Sequence, residues 1–167
     1  IIHRLSHLLS YKNSLEAAVA SGQTSKATVL RTELENTSQA IENALATWKP
    51  TFTSSGENLD HENIGTQSTR IQSIFRHSAF VYLYRTIRAQ PRTHPTVQKH
   101  AHLALQACSN VVQLAEQCYD GPMSALLWPL FVSSCEAMTE EDRELAMNGF
   151  CGTERRQGMT NIMRAVN

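Results

Sequence analysis

"SALLWPLFVSSCEAMTEEDRELA", Ser124 to Ala146, sets a proline inside the most apolar run of the chain and follows that run at once with acids. If Ser124 caps a helix, Pro129 falls near the end of its first turn, where backbone N–H groups have no intrahelical acceptor and the missing donor costs little. If the helix begins at Pro122, Pro129 kinks it. Either way Trp128, Leu130, Phe131 and Val132 cover most of the helix circumference, and Cys135, Ala137 and Met138 extend the apolar surface. A helix apolar nearly all round is expected at the centre of a bundle. Thr139 then opens the next helix, with Glu140, Glu141 and Asp142 in its first turn, where acids favour the positive end of the helix dipole. Thr139 and Asp142 have the spacing of a capping box, with Asp in the usual Glu place. Glu136 and Arg143 flank the corner between the two helices and are expected to form a structural salt bridge, because buried charges are paired.

Outward from this stretch the pattern stays helical. Leu5, Leu8, Leu15, Ala18 and Val19 share one face, and Gly22 reads as a stop with Thr24 as the next N-cap. Ala27, Leu30, Leu34, Thr37, Ile41, Ala44 and Trp48 advance by threes and fours to Pro50, so the first two helices are expected to form an antiparallel hairpin. Thr53 to Thr69 is polar and reads as a loop. A third helix is predicted from about Gln72 to Ala89, apolar on more than one face at "AFVYLYRTI" (Ala79 to Ile87) and ended by Pro91. Pro95 suits the first turn of a fourth, with Thr93 or His94 as cap, and its stripe is Val97, Ala101, Leu105, Cys108, Val112 and Ala115. Asp120, Gly121 and Pro122 make a turn. Gly149 and Gly152 are expected to loosen the end of the helix that starts at Thr139, and a basic amphipathic segment, Met159 to Val166, follows. The expected fold is all-α: a single domain over residues 1–167, a bundle of six or seven helices built from antiparallel hairpins around a central apolar helix.

Composition excludes several functions. Lys plus Arg and Asp plus Glu both number 15, so the formal charge is zero. A surface that neutralises DNA phosphates is basic, and no direct DNA contact is expected. The longest apolar run, Ala125 to Val132, falls short of the roughly 18 residues that span a bilayer. Cys108, Cys118, Cys135 and Cys151 show no CxxC spacing and read as reduced thiols. His3 and His7 share a helix face, but no carboxylate completes a metal site beside them. Ser133 and Ser134 lie within an apolar helix rather than on a strand-to-helix turn, and there is no phosphate-binding Gly-rich loop. An enzyme is not expected. Phe75, Phe80, Tyr82, Tyr84, Trp128, Phe131 and Cys135 are the residues expected to make either an effector pocket or simply core, since apolar helical stripes are usually core.

Several segments also resemble a known family. "LLWPLFVSSCEA" (Leu126 to Ala137), "EEDRELA" (Glu140 to Ala146) and "RRQGMTNIMRA" (Arg155 to Ala165) resemble the C-terminal half of the fungal-specific transcription factor domain. The matching positions are Trp128, Pro129, Leu130, Phe131, Glu136, Ala137, Asp142, Arg143, Gly158, Met159 and Asn161. Upstream, "ALATWKP" (Ala44 to Pro50) resembles the family's "L..W.P" helix end, and "FVYLYRTI" (Phe80 to Ile87) its "LYRVI" helix. The resemblance implies an all-helical regulatory or effector region of a larger nuclear regulator of the zinc binuclear cluster type. The six-cysteine cluster is not in this chain, so zinc is expected only in the absent DNA-binding region. Partners implied are the transcription machinery or co-regulators, a second copy of the chain, and a small-molecule effector. The alternative is an unrelated helical scaffold that binds partners through a groove.

Overall fold

The computed structural model describes residues 2–49, 59–117 and 123–157. Six α-helices run through them: α1 (Ile2–Ala20), α2 (Thr24–Thr47), α3 (Leu59–Tyr82), α4 (Pro95–Gln117), α5 (Leu127–Ser134) and α6 (Glu140–Gln157). A π-helical turn, Leu83–Ile87, continues α3, and a 3-10 turn, Met123–Leu126, leads into α5. The described residues contain no strand, and the all-α bundle is the fold.

The α1–α2 hairpin closes at Gly22, whose φ of 72° is the left-handed conformation a side chain resists. The Gln23 N–H donates to Ala18 O at 2.9 Å and the Gly22 N–H to Val19 O at 3.1 Å, the paired bonds of a Schellman stop. Thr24 is the first residue of α2 rather than its cap; Gln23 precedes it without a side-chain capping bond. At α4 the expectation is met, with Pro95 in first place and the Thr96 N–H donating to His94 Nδ1 at 3.2 Å.

The helix at the centre is α3, apolar only in its second half, and not the apolar α5. One side packs on α1 and α2 through Leu5, Leu8, Ile41, Leu45, Ala79, Phe80, Leu83 and Ile87. The other joins Ile74 to Leu105, Cys108, Val111, Val112, Leu126, Leu130, Ala137 and Ala146 from α4, the 3-10 turn, α5, the α5–α6 turn and α6. The α5 stretch covers this second core instead of sitting at its middle: Leu130 and Ser133 are buried, but Phe131 is 57% exposed. Pro129 falls third in α5, after the 3-10 turn, so its missing N–H lies in the first turn. Its carbonyl accepts from Ser78 Oγ of α3 at 3.2 Å, and Ser133 Oγ lies 3.2 Å from the same hydroxyl.

Three expectations need correction. Residues 59–69 are helical, so α3 starts well before Gln72. Once a helix is nucleated, each further polar residue costs a few tenths of a kcal/mol and a lone Gly about 1 kcal/mol, too little to stop it. Gly149 and Gly152 do not loosen α6 but let it approach closely. A Cβ on Gly149 would lie 2.7 Å from Leu130 Cδ1, and one on Gly152 would overlap Val112 Cγ1. The Thr139–Asp142 box is half formed: the Asp142 N–H donates to Thr139 Oγ1 at 3.1 Å, while the Asp142 carboxylate turns to His102 of α4, 2.7 Å away. The residues 53–58, the Asp120–Pro122 turn, Cys118, the Met159–Val166 segment and the family positions Gly158, Met159 and Asn161 lie outside the described residues.

The π-turn ends differently from α1. The Arg88 N–H reaches Leu83 O at 3.0 Å, and the Gln90 N–H reaches Tyr84 O at 2.9 Å, one residue wider than the Gln23–Ala18 bond beside Gly22. The residue that reverses the chain there is Ala89, at φ 52°. An alanine in this conformation costs about 1–2 kcal/mol that glycine avoids, less the entropy a glycine loses on folding. Ala89→Gly is therefore expected to stabilise the fold by about 0.5–1 kcal/mol. A urea melt reads this as a higher midpoint at unchanged slope; a lower midpoint would refute the strain.

Candidate functional site

The aromatic residues singled out in the sequence do not form one pocket. Phe75 and Trp128 stack with centroids 5.9 Å apart and planes 11° from parallel, and Tyr82 reaches the same indole at 6.2 Å. Phe80 is buried and stacks on His100 at 4.1 Å. Tyr84 faces the other way: its hydroxyl donates to Glu42, its ring lies 5.0 Å beneath the Arg88 guanidinium, and His94 is 5.3 Å away. Phe131 and Cys135 are on the exposed side of α5.

One cavity lies where the start of α1, the end of α2 and the middle of α3 meet. It is a cleft of about 570 Å3 lined by His3, Leu45, Trp48, Gln72, Phe75, Arg76 and Ala79. Its size is in the range of small-molecule sites, about 300–1,000 Å3. Of the residues named from sequence only Phe75 lines it. Trp48 arrives because it ends the apolar stripe of α2. Arg76 arrives because its Nε donates to Leu45 O at 2.6 Å and its Nη2 to Ala46 O at 3.3 Å, covering the carbonyls α2 leaves unpaired at its end. The signal in the sequence was Trp48, the aromatic that ends the α2 stripe; the cationic member had none.

The expected Glu136–Arg143 salt bridge is also corrected. Glu136 is buried, but its partner is Arg85 of the π-turn, with Nε 2.8 Å from Oε1; Arg92 Nε is 3.9 Å from Oε2. Arg143 instead pairs with Glu140 at 3.2 Å, both side chains largely in solvent, where a pair contributes only a few tenths of a kcal/mol. The reason is reach. Glu136 sits at the foot of α5 facing α3, whereas Arg143 is on the outer face of α6. Around Glu136 the loop before α4 is tied down: Gln98 Nε2 donates to Glu136 O and Arg92 O, Arg92 Nη2 to Ala137 O, and Arg85 Nη1 to Gln90 O. A parallel junction ties the π-turn to α2 through Arg88 and Glu42 at 2.7 Å.

One titratable cluster was not foreseen. His77 of α3 and His100 of α4 place their Nδ1 atoms 2.8 Å apart, so one ring donates and the other accepts. Burial, then Arg76 and Lys99, lowers His77 to about 4; burial, then His77 and the same two cations, lowers His100 to about 4. Both rings are neutral at pH 7. An unfolded chain protonates them near 6.5, so stability present above that value is lost as pH falls toward 4. Solvent still reaches both rings, and after screening the expected loss between pH 7 and pH 5 is about 1–2 kcal/mol for the pair. Urea melts at the two values measure it. His100→Gln should remove about half of the difference, the share of its own ring, because His77 keeps its burial and its two cations; an undiminished difference in that variant would place the effect elsewhere. Burial pushes the Cys108 thiol up to about 12, which makes it a packing group. Among the described residues no three His, Cys, Asp or Glu side chains converge to hold a metal ion, and no helix is long and apolar enough to cross a membrane.

No protein of curated function and no solved structure matches the chain. A family profile does: the fungal specific transcription factor domain, over residues 1–167. The helical order, the Trp48 and Trp128 helices and the acid-led α6 are the described parts of the resemblance in the sequence, and the profile covers all of it. The chain belongs to the fungal specific transcription factor domain family.

Proposed function

We propose that this domain regulates transcription in the nucleus by sensing a small-molecule effector in the α1–α2–α3 cleft and changing its contacts with other proteins. The observation that carries this is the Phe75–Trp128 stack: Phe75 is a wall of the cleft and its ring lies on an indole of α5. A ligand against Phe75 touches one of the side chains through which α3 meets α5, and it shifts the domain by the difference in its affinity for the two arrangements. The outer side of α5 and the turn that follows it leave Phe131, Cys135 and Met138 in the open, with Phe131 57% and Met138 42% exposed. That row favours the protein-contact half of the proposal, with a co-regulator, the transcription machinery or a second copy as partner. Catalysis has no place in this role. DNA contact, and the zinc it needs, belong to a separate region of the parent regulator.

Native mass spectrometry of the domain purified from its own host tests it. A co-purifying small molecule released on denaturation is the expected result. A bare mass, with partner capture abolished by Phe131→Asp in a folded variant, would replace sensing by protein contact alone.

A further inference from the structure

We infer that the cleft takes an amphipathic monocarboxylate, its carboxylate on the Arg76 guanidinium and its apolar body between Trp48 and Phe75. The inference rests on the effector reading and specifies the ligand class.

The lining has Leu45, Trp48, Phe75 and Ala79 as apolar walls, Arg76 as a permanent cation, and no acid. Arg76 is half-buried and has no carboxylate partner among the described residues, whereas Arg85 holds Glu136 and Arg88 holds Glu42. Its Nε and Nη2 cover Leu45 O and Ala46 O, and its guanidinium carbon lies 5.8 Å from the centre of the Phe80 ring. The end of α2 supplies only about half a negative charge to set against it. A guanidinium fork presents five N–H donors, and these bonds leave donors over for an anion. Carboxylate fits that fork in shape and charge. A phosphate monoester would bring about two charges to one cation in an apolar site, and the desolvation of the second would go uncompensated. His3 at the rim adds a second nitrogen-bearing group and no negative charge.

The test is a series of probes with one apolar body and three head groups: 4-phenylbutyrate, 4-phenylbutanamide and 4-phenylbutylamine. Binding is followed by titration calorimetry and by methyl NMR at Leu45 and Ala79. The carboxylate is expected to bind about tenfold tighter than the amide, as a charge-assisted bidentate pair does against a neutral one. The amine should be the weakest. The carboxylate's advantage should vanish in Arg76→Gln while amide binding persists. Should that variant fail to fold, the wild-type ratio of carboxylate to amide decides alone. Equal binding of acid and amide, with shifts at Leu45 and Ala79, would overturn the carboxylate inference and leave the cleft as an effector site. Carboxylate binding that moves neither methyl group would place the anion elsewhere and overturn it too. No binding by any of the three would count against the effector reading itself.

Discussion

Gly152→Val is expected to destabilise the domain by about 3 kcal/mol or more, at the upper end of what overpacking a core costs. Gly152 is buried on the face of α6 that meets α4. A single added carbon there overlaps Val112 Cγ1, and Val112 is itself only 5% exposed. Valine has one strongly preferred χ1 in a helix, so Val112 has little freedom to turn away. Relief must come from α6 moving off α4, which opens Leu105, Cys108 and Ala146 to water. Helix propensity pulls the other way by less than about 1 kcal/mol and does not change the sign. Chemical denaturation of the purified variant measures the loss. A second comparison isolates the cause: Gly152→Ala should be destabilising with Val112 present and close to neutral, or stabilising, with Val112→Ala. A Gly152→Val variant as stable as the parent would mean that α6 does not lie against α4 as described.

Leu130→Ala is the second large effect, expected at about 3–5 kcal/mol, the range for a fully buried leucine whose neighbours cannot collapse into the space. Leu130 has no exposed surface and sits in the core shared by α3, α4, α5 and α6. It also fixes how near α6 can come, because its Cδ1 lies 2.7 Å from where a Gly149 Cβ would stand. The two positions are therefore coupled. Gly149→Ala alone should cost about 1–2 kcal/mol as overpacking. In the Leu130→Ala background the new methyl fills part of the vacated volume, so the double variant should be more stable than the sum of the two losses predicts. A coupling energy of about 1 kcal/mol or more in that cycle is expected for residues in contact. Strict additivity would refute the contact.

The helices were legible in the sequence because burial imposes a 3.6-residue period wherever a helix lies on a core. The stripe from Ala27 to Trp48, the Gly22 stop and the Pro95 start all depend on residues within a few places of one another. Residues 59–69 were misread for the same reason: their polarity says only that local burial is slight, and a helix held along the rest of its length continues through them. Exposure was the harder property. Phe131 belongs to the most apolar run of the chain, yet among the described residues no helix covers its side of α5, and one stretch of sequence does not say how many neighbours a helix has.

What the sequence determined by itself is the all-helical class, the ends of most helices and, through the order of its WPLF, EA and acid-led segments, the family. These rest on short-range chemistry: period, caps, turns and the order of segments along the chain. What only the tertiary structure decided is which side chains meet. Glu136 takes Arg85 rather than Arg143, His77 finds His100, and the cleft draws His3, Trp48 and Arg76 from three different helices. Each of these pairings depends on how helices distant in sequence are set against one another. That setting is decided at contacts such as Gly152 on Val112 and Gly149 on Leu130, where the absence of a side chain fixes the distance between two helix axes.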